Sequence, residues 1–330
     1  MGIQGLFPFL RELCPQAFST VPLESFRGQK IAIDISITIC ATRARIYKSV
    51  LGQTNLLETK GIVNIQEVDA HTVATVVSKI ISYREKYGIL PLVIFDGEGS
   101  VAKNEHAKKR NELKHERSKE RLAEVRAEIL TLTDIPEQYA LYGKFYSRLA
   151  ECWYETFDKP ALESRIRKKL LEAKIPVLNA HGEADALCAA LFLEGRVQAV
   201  YSKDSDLLPR GCTNLIISIE ANEDRVKVAE VCTFGPADIR ALGLTQEQFL
   251  ELCIASGCDY NDRIPKMGPT TLYKKVYQHY RSIRDYCESK GGSYECLNLD
   301  ESLKLFRYQP SLKIGGWPVR RRAPRNEEGE

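Results

Sequence analysis

Five short apolar runs, at 31–37, 90–95, 176–178, 198–202 and 215–219, recur along this 330-residue chain with helical periodicities between most of them. Runs of that length, rich in β-branched residues, suit strands buried on both faces of a parallel, doubly wound sheet. Ligands of such sheets bind beyond the carboxyl ends of the strands. Asp34 interrupts the first run, Asp96 ends the second and Asp204 follows the fourth. The glycine fingerprint of a dinucleotide site is missing, so that use of an α/β sheet is set aside.

Four further acids join these three. Asp206 stands two residues beyond Asp204, where the chain leaves the sheet, so both carboxylates can turn toward one cation. Glu183 and Asp185 open the helix that continues through Leu187 and Leu191, and Asp259 follows Gly257-Cys258. Each has a plain alternative. Acids in a first helical turn are favoured by the helix dipole, and Asp96-Gly97 reads equally as a turn after a strand. Asp34 is harder to explain away, because it splits two β-branched halves of a buried run. Seven acids at such places repel one another unless cations neutralise them. Oxygen ligands without His or Cys suit Mg²⁺, with Mn²⁺ as a substitute, better than zinc. Two such ions can activate a water and stabilise a leaving oxygen, so phosphodiester hydrolysis is the expected chemistry.

The formal net charge is +3. Committing seven acids to an interior site leaves the rest of the chain near +10, a basic exterior. Ten cysteines without a C-x-x-C pair argue against a zinc site and a disulfide framework. Neither a signal peptide nor a membrane span is expected. The segment between Asp96 and Glu183 exceeds one crossover helix and reads as an inserted helical element. If 103–128 is one helix, Lys103, Arg110, Lys114, Arg117 and Arg121 share a stripe within roughly 60°. A solvated charged helix is the bland account of it, and a phosphate track the functional one. Residues 256–271 read as helix, two tight turns and helix, whose amides and helix start can hold a DNA phosphate without reading bases.

With those residues in view, the chain resembles the XPG-type structure-specific 5′ nucleases, which include flap endonuclease and exonuclease-1-like enzymes. The resemblance runs to about residue 280. It rests on the strings MGIQGL, IAID, VIFDG, GEADA, SKDSDLL and SGCDY, starting at positions 1, 31, 93, 182, 202 and 256. It implies a PIN-like, mostly parallel α/β sheet, a helical arch inserted over the site, and a C-terminal helix-two-turn-helix element with a bound K⁺. It further implies two Mg²⁺ ions held by Asp34, Asp96, Glu183, Asp185, Asp204, Asp206 and Asp259, with Lys103 and Arg110 as the catalytic basic pair. DNA contacts are expected at Gly2, Lys114, Arg117, Arg121, Lys266, Gly268 and Thr270.

The expected division is 1–100 and 176–245 as the nuclease domain, 101–175 as the arch, 246–310 as the helical subdomain and 311–330 as a flexible tail. The expected function is cleavage of branched DNA as a flap endonuclease or a 5′–3′ exonuclease, by a monomer acting in the nucleus (a host nucleus if the chain is virus-encoded). A catalytically silent protein that binds branched DNA is the alternative. Three departures from the family pattern stand out. Cys40 replaces a base-stacking tyrosine, Lys266 replaces a turn glycine, and Gln309-Pro310-Ser311-Leu312 lacks the aromatics of a sliding-clamp motif.

Overall fold

The computed structural model describes residues 2–56, 58–97, 101–131, 138–260, 264, 266–290 and 297–307, with backbone alone for 101–115, 138–142 and 144. The tail 311–330 and the segment at Gln309 lie outside the described residues. In chain order the elements are α1 (Leu6–Leu13), β1 (Phe18–Pro22), β2 (Lys30–Asp34), α2 (Ile35–Gln53), α3 (Ile65–Glu85) and β3 (Leu90–Phe95). Next come α4 (Val101–Leu130), α5 (Gln138–Glu151), α6 (Lys159–Glu172), β4 (Val177–Asn179), α7 (Ala184–Leu193), β5 (Ala199–Tyr201), β6 (Leu215–Ala221) and β7 (Lys227–Cys232). The chain closes with α8 (Pro236–Ala241), α9 (Gln246–Ala255), α10 (Pro269–Leu272), α11 (Ile283–Ser289) and α12 (Leu299–Arg307). No described helix is long and apolar enough to cross a membrane.

The seven strands form one sheet in the order β1-β7-β6-β5-β2-β3-β4. Its centre is parallel: β2 pairs with β3 and β5, and β5 with β6. One edge is antiparallel, β6 with β7 and β7 with β1. The mostly parallel PIN-like sheet inferred from the sequence is therefore present, with an antiparallel edge that the apolar runs did not signal. One strand boundary also differs. The run 31–37 was read as a single strand, but β2 stops at Asp34 and α2 starts at Ile35. The β-branched stretch after Asp34 mimics a strand, yet its buried positions Ile35, Ile39, Thr42, Ile46 and Val50 follow helical spacing. Ending β2 there puts Asp34 at the strand's carboxyl end.

The chain divides into two compact units. The first, 1–34, 87–100 and 178–330, contains the sheet and the C-terminal helices. Its core gathers Leu6, Phe9 and Leu10 of α1, Leu92 and Ile94 of β3, and Cys188 and Leu191 of α7. It also takes in Phe249 and Leu252 of α9 and Phe306 of α12. α7 is buried from Ala184 to Leu191, and its small alanines let it lie closely on the parallel strands. The second unit, 35–86 and 101–177, joins α2 and α3 to the inserted helices α4–α6. α4 runs without a break across the stretch expected to be helical. Its Val125 and Ile129 pack with Tyr47 and Leu51 of α2 and Phe145 and Leu149 of α5.

Arg43 ties the second unit together. It is fully buried and donates from Nε to Asp69 Oδ1 at 2.9 Å. Its other nitrogens donate to the Trp153 carbonyl at 2.8 Å and the Thr156 carbonyl at 2.5 Å, and its guanidinium lies 4.8 Å from the Phe157 ring centre. A buried guanidinium is tolerated only when its donors are satisfied, so α2, α3 and the segment after α5 are held in one geometry. Arg43→Ala should cost about 3–5 kcal/mol in urea denaturation, because Asp69 and two carbonyls lose their donor. A loss below about 1 kcal/mol would contradict that role for Arg43.

Candidate functional site

The acids singled out from the sequence lie in the first unit, at the carboxyl side of its central strands. Asp34 is the last residue of β2 and Asp96 directly follows β3. Asp204 and Asp206 occupy the turn after β5, where the Asp206 amide donates to Asp204 Oδ1 at 2.9 Å. Glu183 caps α7 and Asp185 lies in its first turn. Gly257, at φ 95°, ends α9 and starts the short turn that carries Asp259. β5, β2 and β3 are neighbours in the sheet, so three separate strand ends deliver their aspartates side by side.

Asp34, Asp185, Asp206 and Asp259 are all buried. Burial pushes the Asp34 carboxyl up to about 7, with further upward pressure from Asp96, Asp204 and Asp185. The Asp206 carboxyl is likewise pushed well above the usual range, first by burial and then by Asp204, Asp185 and Asp259. These mutual effects show six of the acids sensing one another's charge. Glu183 enters through Tyr260, whose hydroxyl donates to Glu183 Oε2 at 2.7 Å.

Several of the carboxylate oxygens already have internal donors. Ser202 Oγ donates to Asp34 Oδ2 at 3.1 Å, and the Ala184 amide to Asp96 Oδ1 at 3.1 Å. Asp185 accepts from the Ala186 amide at 2.7 Å and from Arg210 Nε at 3.0 Å. Among the described residues no three acidic side chains converge tightly enough to form a finished metal cage. The cluster is electrostatically coupled without forming such a cage. Asp206 Oδ1 is not satisfied by an internal donor: it is buried with no hydrogen-bond partner among the described residues. A buried carboxyl oxygen left in that state is costly unless a proton or a cation meets it. The oxygen-only donor set and this oxygen both fit a hard divalent ion.

Gly2 lies against the same turn. Its φ is 84°, and a Cβ there would stand 2.5 Å from Asp204 Oδ1 and 2.6 Å from Ser205 Oγ. Only glycine fits both the backbone and the space. The Ile3 amide donates to Ser205 Oγ at 2.8 Å, pinning the N-terminal segment beside Asp204. The candidate phosphate turn is less crowded. Lys266, exposed, has φ 62°, a left-handed conformation that favours glycine, whereas Gly268 has φ −87° and open space around it. Backbone strain in this turn therefore sits on Lys266. Thr270, half-buried, lies in α10, whose chain continues into a wide turn over Tyr273–Tyr277.

Lys103, Arg110 and Lys114 lie on α4, and their side chains are outside the described residues. Arg117 and Arg121 are exposed on the same helix, with Arg121 paired to Glu151 of α5. Cys40 is half-buried in α2. Three residues around the acids escaped sequence reasoning: Ser202, Tyr260 and Arg210. Tyr260 adjoins Asp259, the one local signal that points to it; Arg210 is one of 47 Lys and Arg residues and carries no local signal.

The raised carboxyls set a pH dependence for the metal-free protein. Unfolded, Asp34 releases its proton near 3.8, whereas folded it keeps the proton to about 7. Between those values the folded form binds the extra proton, so its stability falls as pH rises, by up to about 1.4 kcal/mol per pH unit for such a group. In EDTA the melting temperature should drop between about pH 5 and pH 7. Added Mg²⁺ should oppose the drop, and a flat or rising EDTA profile would contradict the coupled cluster.

Two family models match the chain: the XPG N-terminal domain over residues 1–117 and the XPG I-region over residues 174–259. Flap endonuclease 1 of Glycine max is 32% identical over 312 residues, covering 94% of this chain and 71% of the relative. Flap endonuclease 1 of Lodderomyces elongisporus is 30% identical over 280 residues, covering 84% of this chain. The chain spans 66% of that relative's length, just under two thirds. Among solved structures, the catalytic core of Rad2 in complex with DNA substrate shares the fold with a TM-score of 0.59 at 18% identity, covering 94% of this chain and 82% of that one. Family models and relatives together cover the acid-bearing strand ends, the α7 start and the turn at Asp259, and the chain belongs to the XPG family.

Proposed function

We propose that this protein is a Mg²⁺-dependent nuclease that hydrolyses phosphodiester bonds of branched DNA near the junction of a 5′ single strand and duplex. The observation that carries the reading is the coupled, buried acid cluster at the carboxyl ends of β2, β3 and β5, with Asp206 Oδ1 left unsatisfied inside it. Family membership and the flap endonuclease names of its relatives supply the substrate class. Asp34, Asp96, Glu183, Asp185, Asp204, Asp206 and Asp259 would hold two divalent ions, Mg²⁺ or Mn²⁺, directly or through water. When bound, those ions supply charge stabilisation and an activated water.

The chain's own residues then bind and orient the DNA. Lys103 and Arg110 of α4 polarise the scissile phosphate, and Lys114, Arg117 and Arg121 continue the basic track along that helix. Gly2 brings bare backbone up to the Asp204 turn, which leaves room there for a substrate strand. The turn at Lys266, Gly268 and Thr270 would hold a duplex phosphate, with a K⁺ ion if one binds there, Lys266 adding a cation where glycine would relieve the backbone. In this reading residues 1–100 and 176–245 form the nuclease body, 101–175 its arch, 246–310 the duplex-holding subdomain and 311–330 a tail. Its setting is replication or repair of nuclear DNA.

The test uses 5′-labelled flap, nicked and blunt duplexes with Mg²⁺ or EDTA. Release of an intact flap oligonucleotide in Mg²⁺ alone is the expected result. Asp204→Ala and Asp206→Ala should lower the rate by at least about 10³-fold while leaving DNA binding in place. Mononucleotides from blunt ends would replace the endonuclease reading with an exonuclease. Tight binding of branched DNA without cleavage of any substrate would leave only the silent binding protein.

A further inference from the structure

Arg210 is only 7% exposed, and it sits among the buried acids. It follows Asp204 and Asp206 in the same turn after β5, and its guanidinium is almost fully committed. Nε donates to Asp185 Oδ2 at 3.0 Å, and one terminal nitrogen donates to the Tyr260 hydroxyl at 2.8 Å. That hydroxyl in turn donates to Glu183 Oε2 at 2.7 Å. The other terminal nitrogen donates to the Leu305 carbonyl in α12 at 3.1 Å. Phe306 lies 5.1 Å from the guanidinium by its ring centre and meets the Tyr260 ring edge-on at 5.4 Å.

Burying a guanidinium is expensive, and a well-packed apolar side chain commonly stabilises a fold as well or better. A fixed cation gains most where carboxylates are crowded and two divalent ions carry less charge than the acids around them. Arg210 meets that condition through Asp185 directly and Glu183 through Tyr260. It also occupies one oxygen of Asp185, so a metal ion drawing on that carboxylate would have to share it with the guanidinium.

We propose that Arg210 is a positioning residue and an internal counter-ion of the acid cluster: it neutralises Asp185 before metal arrives, holds Glu183 through Tyr260, and competes with divalent ions for Asp185. The proposal rests on the metal-site reading above. It makes the metal-free protein foldable and keeps ion binding at Asp185 weak enough to be exchangeable. The linkage is fixed by thermodynamics: a counter-ion that stabilises the metal-free form more than the metal-loaded form must weaken metal binding by the same factor.

The test needs no DNA. Wild type, Arg210→Met and Arg210→Lys are melted in EDTA and across a Mg²⁺ titration, and bound Mn²⁺ is measured by electron paramagnetic resonance. Arg210→Met should melt well below wild type in EDTA and recover most of the difference in saturating Mg²⁺. Its half-saturating Mg²⁺ concentration should be lower by on the order of tenfold. Arg210→Lys, which keeps the charge, should retain a half-saturation near that of wild type. An Arg210→Met protein that folds only with Mg²⁺ is the strong form of the expected result. Equal destabilisation with and without Mg²⁺ at unchanged half-saturation, or failure to fold even in saturating Mg²⁺, would overturn the proposal and leave Arg210 a packing residue. If wild type itself binds no Mn²⁺, the metal-site reading fails first, and the two failures are thereby told apart.

Discussion

Mutual repulsion among buried carboxylates is the constraint on which the first unit is arranged. Asp34, Asp185, Asp206 and Asp259 are buried together, and the sheet gives them no apolar escape. Such a cluster persists only where charge is offset. The structure offsets it in three ways: protons retained by raised carboxyls, donors such as Ser202 and the Ala184 amide, and the Arg210 guanidinium. Asp206 Oδ1 accepts no hydrogen bond among the described residues, so its charge is offset only by a retained proton and by the field of Arg210. In the proposed function, metal binding completes an electrostatic balance that the fold leaves open, and the same imbalance serves phosphate chemistry.

The sheet makes this arrangement inexpensive to build. Parallel strands β5, β2 and β3 end side by side, so one aspartate per strand end is enough to crowd charge at a single place. The stability needed to hold the acids comes from elsewhere: α7 lies buried on the same strands, and α1, α9 and α12 complete the core behind it. Gly2 extends the economy to the chain's beginning, where the absence of a side chain lets backbone reach Asp204. The second unit solves a separate problem around Arg43, whose donors join α2, α3 and the segment after α5.

Much of this was legible in the sequence, for physical reasons that differ by residue. Asp34 showed itself because a charge in a β-branched run has no business in a buried strand without a purpose. Asp96, Asp204 and Asp206 were legible as strand-end acids, and their convergence followed from the parallel topology. The start of α2 was not legible, since Ile35-Ser36-Ile37 satisfies a period of two as well as a helical face, and only tertiary burial decides between them. The antiparallel edge made by β1 and β7 was missed because β1, with no fully buried residue, produces no apolar run. Arg210 was invisible because its meaning lies in contacts to Asp185, Tyr260 and Leu305, which are 25, 50 and 95 positions away in the chain. Lys266 was flagged as a departure from a pattern, and its left-handed backbone supplies the physical cost of that departure.

The central claim is that the buried acids form a divalent-ion site, and a Mn²⁺ titration of the metal-free chain by isothermal calorimetry tests it most directly. Two saturable ions per chain are predicted for wild type, with at least one lost in Asp206→Asn. Absence of saturable binding, or binding unchanged in Asp206→Asn, would contradict the account.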